Sequence, residues 1–129
     1  MDWIAGKIMK YKADNVFTIQ YQNNIITYQD RNFKTPIVVK LNLENISSYD
    51  FDVNYPEGTN GHGIIGKVIK GNGIIKWYEP DGKLFIALDD FTLNGDGFDL
   101  SLESGLIDRM KKALDILIEY NTRVQGEKF

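Results

Sequence analysis

The chain has 129 residues, 43% hydrophobic and 26% charged, with a formal net charge of −3 and no cysteine. That length suits one domain with its own core, and no stretch approaches the ~20 apolar residues of a membrane-crossing helix. Disulfides, thiolate catalysis and cysteine zinc sites are excluded, and the acidic balance argues against nucleic-acid partners, which need a positive field.

Met1-Asp2-Trp3-Ile4 has no basic segment leading into an apolar run, so no secretory signal and a cytoplasmic location are expected. The many Ile, Asn, Lys and Tyr residues point to an AT-rich bacterial genome. Trp3 to Tyr11 reads as a first strand, turning at Ala13-Asp14-Asn15. Val16 to Tyr21 and Ile25 to Gln29 flank Asn23-Asn24, residues that tolerate positive φ and suit a tight hairpin. Thr35, Ile37, Val39, Leu41 and Leu43 then alternate against Val38, Lys40 and Asn42, the period of a half-buried strand. Tyr49, Phe51 and Val53 continue the pattern against Asp50 and Asp52.

Residues 54–63 are rich in breakers and read as a loop. A meander is expected next: Ile64–Lys70, a turn at Gly71-Asn72-Gly73, Ile74–Glu79, a turn at Pro80-Asp81-Gly82, and Lys83–Asp89. A last hairpin through Asn94-Gly95-Asp96-Gly97 would lead into Phe98, Leu100 and Leu102. From there Leu106, Ile107, Met110, Ala113, Leu114, Leu117 and Ile118 recur at steps of three and four, the mark of an amphipathic helix. Ser104 is its expected N-cap and Asn121 its stop. Strands are thus expected over about 3–103, a helix over about 104–120 and a tail over 121–129, in a single domain.

Several strands carry apolar doublets: Ile25-Ile26, Val38-Val39, Ile64-Ile65, Ile74-Ile75, Trp77-Tyr78 and Leu84-Phe85. Neighbours on a strand face opposite sides, so both faces of the sheet, or bulges, must accommodate apolar groups.

The chemical motifs weigh little. Gly61-His62-Gly63-Ile64-Ile65-Gly66 matches G-x-G-x-x-G, but a breaker-rich loop precedes it and β-branched residues follow, where a phosphate site needs a helix N-terminus. Asp90 starts a calcium-loop register with Gly95 at position six, yet Thr92 and Ser101 stand where further ligands belong. His62 is the only histidine. Catalytic residues, metals and cofactors are therefore not expected. Tyr55 and His62 in the loop, with Trp77 and Tyr78 on the meander, are the candidate ligand or partner contacts.

Two strand meanders followed by one C-terminal amphipathic helix resemble a pleckstrin-homology-like domain, over residues 3–120. The resemblance implies a mainly β fold, an antiparallel barrel or two-sheet roll capped by the helix. Lipid-headgroup binding is not carried over, because Lys7, Lys10 and Lys12 lack the arginine of the phosphoinositide pattern, and the helix lacks the usual tryptophan. The function expected is a non-enzymatic module that binds a protein or peptide, or a second copy of itself. The alternative is a carrier of a small lipophilic ligand, with Trp3, Phe17, Phe51, Trp77 and Phe85 lining a barrel.

Overall fold

A computed structural model describes residues 1–31, 34–55 and 65–127. The first element is a helix, α1 (Asp2–Lys10), not the expected strand. Ile4, Ala5 and Ile8 share its buried face, with Asp2 in the first turn and Lys7 and Lys10 in the last. Both charge placements favour the helix dipole. The hairpin β1 (Val16–Gln22) and β2 (Ile25–Asp30) follows. Asn23 and Asn24 both adopt positive φ, 54° and 64°, as its two-residue turn requires.

Next come β3 (Ile37–Asn42), a 3₁₀ turn at Leu43–Asn45 and β4 (Ser48–Asn54). Asn42 caps that turn by accepting from the Glu44 amide. Opposite them runs β5 (Ile65–Tyr78), 14 residues long. Its second half pairs with β3 and its first half with β4, while β6 (Leu84–Thr92) lies along its other side. The Gly71-Asn72-Gly73 sequence is therefore a bulge inside one bent strand rather than a turn between two. Its flanks keep the same neighbour, Lys70 opposite Asp90 and Ile75 opposite Leu88. A β-carbon on Gly71 would stand 1.8 Å from the Asn45 carbonyl oxygen, so glycine lets the bend press against the 3₁₀ turn.

All six strands belong to one antiparallel sheet, ordered β1-β2-β3-β5-β4 with β6 also on β5. No ladder among the described residues joins β1 to β4 or β6, so the strands form one open sheet where a barrel or two-sheet roll was expected. Nor is there a last strand: Phe98 makes a single bridge to Lys12, and Leu100–Leu102 is a 3₁₀ turn. The C-terminal helix is present and longer than expected. As α2 (Leu106–Glu127) it begins beyond Ser104 and carries residues 121–127, expected as tail, in helical form. No helix among the described residues is long and apolar enough to cross a membrane.

One connected set of buried side chains joins the layers. Tyr28, Val39 and Leu41 from the sheet meet Ile4 and Ile8 of α1 and Leu106, Met110, Leu114 and Leu117 of α2. Phe98 lies edge-on to Tyr28, with ring centroids 5.4 Å apart, and tilts against Phe91 at 5.9 Å. Asn121, expected to stop the helix, is instead buried within it. Its amide nitrogen donates to the carbonyls of Leu43 (3.1 Å) and Ile46 (3.0 Å), which ties α2 to the link between β3 and β4.

Candidate functional site

The sequence-derived contact residues do not converge. Tyr55 is half-buried, its ring lying against Gly66 and its hydroxyl 3.1 Å from the Thr92 hydroxyl. Trp77 packs on the core side of β5. Tyr78 is its strand neighbour and so belongs to the other face, where the Lys40 ammonium sits 5.2 Å from its ring centroid. His62, and most of the loop and glycine string around it, lie outside the described residues. The aromatics expected to line a barrel are likewise dispersed: Phe51 is in the core, Phe85 is exposed, and Trp3 is exposed on α1.

Two apolar surfaces were assembled by the fold instead. The first is a groove between α1 and α2 of about 500 Å³, lined by Met1, Trp3, Ile4, Ile116, Leu117 and Tyr120, with Glu119 and Arg123 also in its lining. On α2, Ala113, Ile116, Leu117 and Tyr120 follow the i, i+3, i+4, i+7 spacing of one helix face. That stripe adjoins the core stripe of Leu106, Met110, Leu114 and Asn121. α1, with 9 residues against the 22 of α2, covers only part of it. Ile116 is left 71% exposed.

The second surface is the outer side of β6. Leu84, Phe85 and Ile86 are 49%, 61% and 37% exposed, in succession. Among the described residues β6 pairs with β5 alone, so its other edge presents unpaired backbone groups. The remaining free edges are blunted. β1 is broken by a bulge between Phe17 and Gln20, with Thr18 at φ 49° and Arg31 stacked 4.2 Å over Phe17. β4 carries exposed Asp50 and Asp52. Over Leu84 to Leu88 no charge interrupts β6.

The charged clusters are engaged in holding the fold. Glu103 receives Lys7 at 3.0 Å, the Tyr11 hydroxyl at 2.6 Å and the Arg109 guanidinium, which joins α1 to the start of α2. Those donors, the Tyr11 hydroxyl foremost, hold its carboxyl down to about 2, so it serves as a fixed anion and not as a proton acceptor near neutrality. The same contact pushes the Tyr11 hydroxyl up. Asp96 behaves in the opposite way: burial, then the nearby Asp30 charge, raise it to about 6 against a weaker backbone hydrogen bond from Thr92. The calcium register dissolves here, since Asp90 is in β6 opposite Lys70 and Asp99 caps the Ser101 amide. No group of three or more potential ligands among the described residues is placed to hold a metal ion.

Ile116 and Tyr120 fall outside the single apolar stripe by which the sequence marks the helix face that meets the sheet. Only the wider spacing at 113, 116 and 120 marks a second face. No family model, curated protein or solved structure matches this chain.

Proposed function

We propose that this chain is a non-enzymatic protein-binding module whose groove between α1 and α2 receives an amphipathic helix of a partner protein. One observation carries the reading: α2 presents a second apolar face, Ala113, Ile116 and Tyr120, across from Trp3 in an open groove. Two helices with an uncovered apolar seam are completed by a third, whose side chains fill the seam as ridges fill grooves. Glu119 and Arg123 in the lining offer both signs of charge to the partner's polar flanks. Panning a displayed peptide library on the protein tests this. Peptides with apolar residues at i, i+3, i+4 and i+7 are expected, with binding lost on Ile116→Arg. Peptides indifferent to that change, or no helical pattern at all, would overturn the proposal.

The groove's volume of about 500 Å³ favours a second reading, a carrier of a small lipophilic ligand, because it falls in the range of small-molecule pockets. Native mass spectrometry separates the two, since a carrier retains cargo after purification. A cytoplasmic setting belongs to the proposal and is supported by the cysteine-free composition. So does the pleckstrin-homology-like architecture. The antiparallel sheet and C-terminal helix support it, and the helix ahead of β1 and the open sheet depart from it.

A further inference from the structure

We infer that the face of the sheet turned away from the core carries an anion-binding site, where the phosphate of a small, hydroxyl-bearing phosphate monoester lies between Lys40 and Lys76. The site is separate from the helix groove, and the inference stands independently of what that groove binds.

Strand periodicity puts both lysines on that face. Val39 and Leu41 are in the core, so Lys40 between them points the other way. Lys76 does the same between Ile75 and Trp77. The register of β3 on β5 then sets Lys40 directly opposite Lys76. Like charges in that relation destabilise a sheet, and the flanking strands do not offset them. Thr27 of β2 stands beside Lys40, and Ala87 of β6 beside Lys76. Among the described residues neither ammonium forms an ion pair. Two facing cations thus stay uncompensated in a chain whose net charge is −3, and a bound dianion would neutralise them.

A cavity lies at the same place. It has a volume of about 180 Å³, and both lysines line it together with Ile25, Asn42, Ile74 and Tyr78. A second hollow of about 300 Å³ shares Ile25 and Lys40 with it and is bounded by Gln20, Gln22 and Thr27. Neither is lined by an aspartate or glutamate, although the chain has 18 of them. The Lys40 ammonium stands 5.2 Å from the Tyr78 ring centroid, while Lys76 Cε lies 3.9 Å from where a β-carbon on Gly73 would be. The carboxylates that border the cavity are engaged elsewhere. Asp89 accepts from the Gly73 amide at 2.7 Å, and Glu44 accepts from the Asn24 side chain at 2.8 Å. Charge sets the ligand class: a phosphate monoester carries close to two negative charges at neutral pH, and a carboxylate carries one. The amides of Gln20 and Gln22 and the Thr27 hydroxyl in the adjoining hollow match a body with hydroxyl groups.

Two-dimensional NMR titration of the full chain with glucose 6-phosphate, at fixed ionic strength, tests the site. Saturable amide shifts are expected around residues 25–27, 40–42 and 73–78. Lys40→Gln and Lys76→Gln, both at exposed positions, are each expected to weaken binding at least about tenfold. Lys112→Gln removes the same charge from an exposed position on α2 and should leave binding unchanged. Glucuronate, a similar body with a single charge, should bind at least about fivefold more weakly, and glucose not at all. Ile116→Arg should leave the titration intact, so failure of the groove proposal and of this one are told apart. Lys112→Gln weakening binding as much as Lys76→Gln, glucuronate binding as tightly as glucose 6-phosphate, or no saturable shift at millimolar probe would overturn the inference.

Discussion

Asn121→Ala separates two accounts of the same residue by the sign of the result. Judged by helix propensity alone, alanine inside α2 is the better residue by about 0.7 kcal/mol or less, and the substitution should stabilise. Judged by the structure, it should destabilise. The Asn121 amide nitrogen donates at 3.1 and 3.0 Å to the Leu43 and Ile46 carbonyls, and the residue is 4% exposed. Each hydrogen bond is worth about 0.5–1.5 kcal/mol net, and a buried carbonyl left without a donor costs about 1–3 kcal/mol. Leu43 retains the Ile46 amide as a donor at 3.3 Å, so the penalty falls chiefly on the Ile46 carbonyl. The sum is about 2–3 kcal/mol. With about 2.1 cal/mol/K of unfolding entropy per residue, 1 kcal/mol is worth about 4 °C in a chain of 129 residues. A fall of roughly 7–11 °C in melting temperature is therefore expected, with a matching drop in urea midpoint at unchanged slope. An Asn121→Ala protein as stable as the parent, or more so, would refute the tie between α2 and the β3–β4 link.

Further outcomes follow from the same contacts. Gly71→Ala should cost at least about 2 kcal/mol in urea titration, because its β-carbon would stand 1.8 Å from a backbone oxygen that no side-chain rotation can move. Asp96 has a folded pKa of about 6 against an ordinary 3.8. The folded state then holds the extra proton, and stability should fall as pH rises from about 4 to 6. Asp96→Asn should remove that slope and stabilise at pH 7 by at most about 3 kcal/mol, read from urea midpoints across a pH series. Glu103 runs the other way, with a folded value of about 2 against 4.5. Its contribution is present above pH 4.5 and lost as pH falls towards 2, and Glu103→Gln should flatten the curve in that window.

What the sequence revealed and what it concealed divide along physical lines. The Asn23-Asn24 turn was legible because few residues accept positive φ, and both do so here. The alternation from Ile37 to Leu41 was legible because period two has no rival over that many residues. α1 was not. Over Trp3 to Lys10 the apolar residues fit strand and helix alike, and the deciding marks are charges at the ends, Asp2 first and Lys7 and Lys10 last. Asn121 misled for a related reason. Asparagine stops a helix when its side chain serves its own backbone. Here the side chain serves the backbone of another element, a fact of tertiary structure that local sequence does not carry. Neither surface of the candidate site could be placed from sequence, since each depends on what the fold leaves uncovered.

The apolar doublets show how far a sequence signal of that kind reaches. They have three distinct physical causes. Ile26 and Val39 are buried while their partners Ile25 and Val38 are half-buried on the opposite face, the ordinary state of a sheet with modest outer cover. Ile74 and Ile75 are both buried, which strict alternation forbids, and the bulge at Gly71-Asn72-Gly73 is what turns both inward. Leu84 and Phe85 are both exposed, also beside a bulge, but on a strand with a free edge. An inward doublet at a bulge adds to the core, so it is explained by folding. An outward doublet at a bulge gains nothing from packing among the described residues and leaves apolar area in water at about 25 cal/mol per Å². Residues 84–86 are therefore left uncovered by the described residues, whereas residues 74–75 are not.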